Sequence, residues 1–215
     1  MTDDPIRALE KRETEGGRLF SPSAARNKAV IADTFEELGL TTGRVLEIGS
    51  GTGEHAVEIL SRFEGLNWTA SDIDTTALNS CRAWAEYCGF DDQMAVRPLD
   101  LSRPGWQEGL GLFDAVYSAN VIHISPPIVF QELVLSASDL LEETGVLALY
   151  GPFRRNGTFA ADSNAEFDKS LRSRNEAWGV RDLEQDIVPL AQSAGMTLER
   201  VLDMPANNNF VLFRR

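Results

Sequence analysis

Residues 44–53, RVLEIGSGTG, place three glycines at alternate positions directly after a short apolar run. Glycine lets the backbone approach a ligand where any Cβ would clash. The amphipathic segment EHAVEILSRF follows at once, so the pattern predicts a strand, a glycine turn and a helix whose first N–H groups face the turn. Such a turn is typical of a nucleotide-binding site. Its candidate contacts are Glu47, Gly49, Ser50, Gly51, Thr52 and Gly53.

Acidic residues end the next two predicted strands. Asp72 lies about 20 residues past the glycines, where a carboxylate can accept hydrogen bonds from a ribose diol. Asp74 is a second candidate for that contact, and Asp72 could instead cap the following helix. Asp100 could accept a hydrogen bond from an adenine amino group or be a solvated loop acid. Ile73 and Leu101, beside these acids, are further predicted cofactor contacts.

The spacing of the glycine turn is E-x-G-x-G-x-G, which differs from the G-x-G-x-x-G fingerprint of dinucleotide sites. It resembles the loop of class I S-adenosylmethionine-dependent methyltransferases. A NAD site and a turn without a ligand are the alternatives, and the spacing and the two following acids disfavour them.

The ends of the fourth and fifth predicted strands supply the candidates for the reacting side of the site. Asn120 is a cofactor contact or a turn residue. The His123 imidazole could take a proton from a nucleophile or be a structural histidine. Tyr150 could face a sulfonium or pack in the core. Arg174 lies on the apolar face of a helix predicted over 163–178, where it could grip a carboxylate, snorkel or form an ion pair. We assign the catalytic roles to His123, Tyr150 and Arg174.

A helix predicted from Ser23 to Gly39 carries Arg26 and Asn27. They could contact the methionine carboxylate of the cofactor or the substrate, or lie on an ordinary surface. His55, in the first turn after the glycines, is more simply a structural residue.

Strands and helices alternate from residue 44 onward, which predicts a parallel, doubly wound sheet with right-handed crossovers. The segments MTLERVLDM and NFVLFRR are predicted to close it as an antiparallel pair. The fold class is therefore α/β, a Rossmann-like doubly wound sheet of seven strands, mostly parallel. Residues 1–20 are predicted to be a flexible segment and 21–215 a single domain. Three further predictions are a strand through FDAVYSANVIH, a short helix at WQEGL and a helix over RDLEQDIVPLAQSAG.

The chain of 215 residues carries a formal net charge of −13. Such a surface repels nucleic acid and anionic membranes at long range. No apolar run approaches the ~20 residues that cross a bilayer, and the acidic N-terminus does not look like a signal peptide. Cys81 and Cys88 have no zinc-site spacing with the two histidines, and we interpret them as reduced packing groups. These features favour a cytoplasmic protein without a metal, a nucleic-acid partner or a membrane partner.

Several longer segments carry a resemblance to one family. They are SPSAARNK, LEIGSGTGEHAVEIL, WTASDID, NVIHISPP, YGPF, SNAEFDKSLRSRNEAWGVRD and MPANN. Together they resemble the methyltransferase-like 26 proteins over Ser21 to Arg215. Pro127 stands where that family is expected to have an aromatic residue, which would reshape the substrate mouth. The resemblance implies a class I methyltransferase fold with S-adenosyl-L-methionine as the methyl donor.

The sequence thus predicts an S-adenosylmethionine-dependent methyltransferase that acts on an oxygen, nitrogen or sulfur atom of a small molecule. One alternative is a regulator that binds S-adenosylmethionine or S-adenosylhomocysteine without transferring a methyl group. Methylation of protein or RNA is another, and the acidic charge disfavours RNA.

Overall fold

The computed structural model describes residues 12–215, and the chain divides into two compact units between Asp100 and Leu101. The fold contains a seven-stranded, mostly parallel sheet with helices. This confirms the predicted fold class and its closing antiparallel hairpin. The prediction of a single domain over 21–215 stays a prediction. None of the described helices combines the length and apolar character that a bilayer span requires.

The first unit alternates strands and helices. In chain order its elements are β1 (Glu13–Glu15), β2 (Arg18–Phe20), α1 (Pro22–Glu37), β3 (Thr42–Ile48), α2 (Glu54–Leu60), β4 (Gly65–Asp72), α3 (Thr75–Cys88) and β5 (Met94–Pro98). β3, β4 and β5 pair in parallel in that order. The last four residues of β3 are all buried, as expected for a parallel strand covered on both faces.

Two side chains begin the helices of this unit. Ser21, rather than Ser23, caps α1, because its hydroxyl accepts a hydrogen bond from the Ala24 N–H. Asp74 caps α3 by accepting from the Thr76 N–H at 2.8 Å. Each cap satisfies one of the N–H groups that a helix start leaves without an intrahelical partner. Asp74, and not Asp72, is therefore the helix cap.

The β1–β2 hairpin packs on α3. The Arg18 guanidinium lies 3.5 Å from the Tyr87 ring centroid and 5.0 Å from that of Trp84. The Leu19 N–H donates to the Ser80 hydroxyl at 2.8 Å. Residues 13–20 thus form a docked hairpin within the segment predicted to be flexible, and the rest of that prediction, residues 1–11, lies outside the described residues.

The second unit holds the remaining elements. They are β6 (Phe113–Ala119), a 3₁₀ turn (Val121–His123), α4 (Pro127–Leu140), β7 (Leu141–Gly151), β8 (Arg154–Arg155), β9 (Thr158–Phe159), α5 (Asp162–Arg174), a π-helical turn (Leu183–Ile187), α6 (Val188–Ser193), β10 (Thr197–Met204), a 3₁₀ turn (Pro205–Asn207) and β11 (Asn208–Arg214). The strand order is β10-β11-β7-β6, with β6 parallel to β7 and β11 antiparallel to both its neighbours.

Four predicted elements differ from the structure. The fourth parallel strand ends at Ala119 and not at His123, because Asn120 adopts a left-handed conformation with φ 63° and a 3₁₀ turn follows. WQEGL forms turns, since Gly105 and Gly109 both have positive φ. The helix predicted over 163–178 ends at Arg174. The helix predicted over RDLEQDIVPLAQSAG is a π-helical turn and then α6, near whose start Pro189 lacks the N–H that a regular helix would use.

Gly53 and Gly89 form a matched pair for testing the packing of the glycine turn. Both have positive φ, 86° and 73°. A Cβ on Gly53 would lie 3.1 Å from Cα and Sγ of Cys81, whereas a Cβ on Gly89 would meet nothing within 4 Å. Each substitution to alanine costs about 1–2 kcal/mol for the left-handed backbone, and Gly53→Ala adds roughly 1–3 kcal/mol of overpacking.

Urea unfolding of the two variants measures this difference. We expect Gly53→Ala to lower the free energy of unfolding more than Gly89→Ala. Equal losses would show that the contact with Cys81 is not what restricts position 53.

Candidate functional site

Hydrogen bonds pin the glycine turn to the end of β4. The N–H groups of Gly49 and Ser50 both donate to the Ser71 carbonyl at 2.8 Å. The Ser50 hydroxyl accepts from the Ser71 N–H at 2.9 Å. The Gly51 N–H donates to Asp72 Oδ2 at 2.9 Å. The turn is therefore held in one conformation by the neighbouring parallel strand.

These bonds decide what kind of ligand the turn suits. Gly49, Ser50 and Gly51 use their N–H groups on β4, and the Gly53 N–H donates to the Ser50 carbonyl at 3.0 Å. Four of the five N–H groups in 49–53 are thus engaged inside the protein. A pyrophosphate-binding turn instead presents its N–H groups to the anion. The geometry favours a ligand that lies close to the backbone over a dinucleotide phosphate.

Asp72 is oriented by backbone groups on both oxygens. Besides the bond from Gly51, Oδ1 accepts from the Asp74 N–H at 2.9 Å. The two oxygens together have about four lone-pair sites, and the backbone N–H groups of Gly51, Ile73 and Asp74 all act on the carboxylate, which keeps acceptor capacity for a ligand. Burial raises the pKa of Asp72 above its ordinary value. Beside it, the Ile73 side chain is 50% exposed. An oriented carboxylate with remaining acceptor capacity next to an apolar side chain fits the ribose and base of an adenosine group.

Glu47, another predicted contact, lies beneath the turn in a buried polar chain. It accepts from the Trp68 indole N–H at 3.0 Å, and its Oε1 lies 4.0 Å from His55 Nδ1. His55 Nε2 lies 2.8 Å from the Asn27 amide oxygen. Burial raises the pKa of Glu47 to about 7 and lowers the pKa of His55 to about 4. The structure thus brings together Asn27, His55 and Glu47, while Arg26 is exposed on α1.

The remaining predicted cofactor contacts have local roles. The Thr52 hydroxyl donates to Glu54 at 3.0 Å, and the Thr52 carbonyl accepts from the Ser80 hydroxyl. Asp100 is half-buried at the end of the first unit, and Leu101 is buried at the start of the second.

Of the two free cysteines, Cys81 is buried and Cys88 is exposed, so the packing prediction is wrong for Cys88.

In the second unit, His123 is fully buried and its tautomer is determined by one hydrogen bond. The Arg181 backbone N–H donates to Nδ1 at 3.2 Å, so the neutral ring carries its hydrogen on Nε2. Burial, followed by the positive charge of Arg181, lowers the pKa of His123 to about 3. Neither ring nitrogen of this neutral form is ready to take a proton, and the geometry disfavours the predicted role as a base.

Arg181, which the sequence analysis did not single out, holds the segment around His123. Its Nε donates to the Ile122 carbonyl at 3.0 Å, and one terminal nitrogen donates to the carbonyls of Ser125 and Ala177 at 2.7 and 2.8 Å. The guanidinium carbon also lies 4.5 Å from the Phe130 ring centroid. Its partners are carbonyls 4 to 59 residues away, which no sequence periodicity reveals.

The other predicted residues of this unit fall into different surroundings. The Tyr150 hydroxyl is within 3.0 Å of the Asn208 side-chain nitrogen, which donates to it. Arg174 is exposed at the end of α5 and not on an apolar face. Asp168 and Arg172, at positions i and i+4 of α5, form an ion pair with 2.8 Å between Oδ2 and Nε. The Asp168 carboxylate also accepts from the Val180 N–H, which ties α5 to the segment that carries Arg181.

The sheet and its glycine turn define the class of fold. Similar solved structures are an O-methyltransferase family protein from Burkholderia thailandensis (TM-score 0.78, 16% identity, 90% of this chain and 57% of that one) and human N-acetylserotonin methyltransferase in complex with SAM (TM-score 0.72, 16% identity, 90% and 52%). A family 2 O-methyltransferase from Planctomyces limnophilus, in complex with apigenin, has a TM-score of 0.74 at 17% identity and covers 90% and 60%. The chain therefore has the class I methyltransferase fold.

The chain belongs to the family described as "Protein of unknown function (DUF938)", whose model matches residues 18–215. The finer resemblance to methyltransferase-like 26 proteins stays a prediction. In sequence it is also similar to lovastatin nonaketide synthase mokA of Monascus pilosus, 30% identical over 118 residues, and to the non-reducing polyketide synthase Preu3 of Preussia isomera, 32% over 144 residues. These matches cover 53% and 65% of this chain but 4% and 6% of the synthases.

Replacing Glu47 by glutamine should change how stability depends on pH. The pKa of Glu47 rises from 4.5 in the unfolded chain to about 7 in the fold. Between pH 4.5 and pH 7 the folded protein binds the Glu47 proton more tightly than the unfolded chain does. Glu47 therefore makes the wild type less stable as the pH rises, and the Glu47→Gln variant lacks this contribution. The free energy of unfolding of Glu47→Gln minus that of the wild type should therefore grow by up to about 3 kcal/mol from pH 4.5 to above pH 7.

Urea unfolding at closely spaced pH values provides the measurement. Contributions from His55 and His123, present in both proteins, largely cancel in the difference. Above pH 8 the difference should become flat, which serves as an internal control. A difference that is constant from pH 4.5 to 8 would show that Glu47 is not held in its protonated form.

His123 should stay neutral, with its hydrogen on Nε2, from pH 5 to 8. Its lowered pKa and the bond from Arg181 both require this. The ¹⁵N chemical shifts of the imidazole measure tautomer and charge directly, and His123→Gln assigns the signal. The same residue in urea should titrate near its ordinary pKa of about 6.5. A midpoint between 6 and 7 in the folded protein would contradict the assignment.

Proposed function

We propose that this protein is an S-adenosylmethionine-dependent methyltransferase whose acceptor is an oxygen atom of a small molecule. The observation that carries the proposal is the glycine turn bonded to β4, with Asp72 oriented by the N–H groups of Gly51 and Asp74. This arrangement suits a ribose diol and leaves few N–H groups for a phosphate. It favours an adenosine group attached to something other than a pyrophosphate.

The bound cofactor would supply an electrophilic methyl group on a positively charged sulfur. Methyl transfer is an in-line displacement, so the protein would have to bind the cofactor and the acceptor, align the acceptor atom with the methyl group and the sulfur, and exclude water. Asp72 would hold the ribose, Ile73 would contact the base, and the glycines at 49, 51 and 53 would let the backbone come close. Asp100, Leu101, Asn120, Arg26 and Asn27 remain proposed cofactor contacts.

The relatives support a small-molecule acceptor. The solved neighbours include O-methyltransferases, one in complex with apigenin and one named for mitomycin, and the sequence relatives are polyketide synthases. The chain spans a small part of the synthases and just over half of the solved chains, so their activities come to this protein only as a proposal. The net charge of −13 favours a small molecule over a nucleic acid.

Binding of S-adenosylhomocysteine tests the cofactor site. Asp72→Asn removes a charged acceptor from the ribose position, and we expect calorimetry to show a roughly 10-fold or greater loss of affinity. Asp74→Asn is the matched control, because this cap of α3 should change stability more than affinity. An unchanged affinity in Asp72→Asn, or a larger loss in Asp74→Asn, would overturn the assignment of Asp72.

Transfer of a labelled methyl group from S-adenosylmethionine to a panel of hydroxylated small molecules tests the activity itself. Wild-type protein should label at least one of them, and Asp72→Asn should label it more slowly at limiting cofactor. Tight cofactor binding without label on any compound or on a small-molecule cell extract would favour a non-catalytic binding protein.

A further inference from the structure

His123 carries a hydrogen-bond donor that lacks a partner among the described residues. The bond from the Arg181 N–H to Nδ1 places the hydrogen on Nε2. Nε2 is buried, and the part of the chain that the structure describes offers it no acceptor. A buried donor without an acceptor is costly. A group bound in the working protein can supply that acceptor.

A polar acceptor atom lies on the same side of the backbone at Gly151. A Cβ built on this residue would lie 2.6 Å from His123 Nε2 and 3.0 Å from Asn120 Oδ1. Any side chain at 151 would therefore displace one of the two polar groups. Asn120 itself has φ 63°, a left-handed conformation that asparagine adopts more readily than most residues with a side chain. His123 Nε2 and Asn120 Oδ1, a donor and an acceptor, therefore both pack against Gly151, and the absence of a side chain there lets them do so.

The surroundings keep the imidazole in place. The Phe153 ring packs on its edge, with centroids 5.2 Å apart at 76°. The Gly179 N–H donates to the His123 carbonyl at 2.9 Å, and Arg181 bonds the adjoining Ile122 carbonyl. The direction of the Nε2–H bond is therefore set by the fold, as recognition of one group in one orientation requires.

We propose that His123 Nε2–H and Asn120 Oδ1 together recognise a hydroxyl group of the methyl acceptor. A hydroxyl can accept a hydrogen bond from the first and donate one to the second. His123 is then a specificity residue that orients the acceptor through a fixed donor, and it does not remove the proton. This inference rests on the proposed function for the identity of the hydroxyl compound as a methyl acceptor.

Three probes of similar size separate the two hydrogen bonds. Phenol can accept and donate, anisole can only accept, and toluene can do neither. We expect phenol to shift the His123 Nε2–H proton resonance, in the protein alone and in the protein saturated with S-adenosylhomocysteine. Anisole should shift it less and toluene not at all. A resonance that phenol leaves unmoved, or that toluene moves equally, would overturn the proposal.

Two variants of His123 distinguish a donor from a base. His123→Gln keeps an N–H donor but cannot act as a base, and His123→Leu has neither property. Phenol affinity should fall about 2- to 10-fold in His123→Leu, the range of one neutral hydrogen bond, and stay close to wild type in His123→Gln. Toluene affinity should be similar in all three proteins, which controls for a disturbed fold. Equal phenol affinity in wild type and His123→Leu would contradict the recognition role.

Transfer of labelled methyl to the acceptor found in the panel is measured with the same variants. A His123→Gln protein that keeps turnover while His123→Leu loses it supports the donor, whereas loss in both to the same extent indicates a base. If phenol is recognised but nothing is methylated, the proposed function fails and the recognition of a hydroxyl stands. If methylation occurs without any effect of phenol on His123, the reverse holds.

Discussion

The bonding of the glycine turn to the end of β4 is the constraint on which the first unit depends. Ser71 and Asp72 receive the N–H groups of Gly49, Ser50 and Gly51, while the Ser71 hydroxyl donates back to the Glu47 carbonyl at 2.6 Å. The last residues of β3 and β4 therefore cannot move independently. Two of these bonds join backbone to backbone, and the others use short side chains with few rotatable bonds, so the conformation of the turn is set before any ligand binds.

Acidic groups buried near this turn carry an electrostatic cost. Burial raises the pKa of both Glu47 and Asp72, and the charge of Asp72 contributes to the rise at Glu47. A positively charged ligand would favour the ionised carboxylates, whereas an anionic dinucleotide would oppose them. The net charge of −13 acts in the same direction at longer range. The electrostatics and the engaged N–H groups thus disfavour a pyrophosphate for separate physical reasons.

The sequence was most informative where local chemistry decides structure. The glycine spacing, the strands with their closing hairpin, and the Asp168–Arg172 pair follow from residue type and period, and the structure contains all of them. The end of β6 could not be predicted from the sequence, because the left-handed conformation of Asn120 is one of several that asparagine can adopt. The docking of the β1–β2 hairpin depends on contacts between Arg18 and rings more than sixty residues away.

The surroundings of His123 in the second unit show more clearly what cannot be predicted from the sequence. The sequence singled out His123 for its imidazole, but the role of that ring depends on which nitrogen holds the hydrogen. That choice is made by a backbone N–H at position 181, and the side chain of Arg181 fixes the surrounding carbonyls. The planar guanidinium has several N–H donors in fixed directions, so it can donate to all of these carbonyls at once, and a lysine ammonium could not reproduce this arrangement. The segment 177–181, which is far from His123 in sequence, therefore determines which hydrogen bonds the imidazole can make.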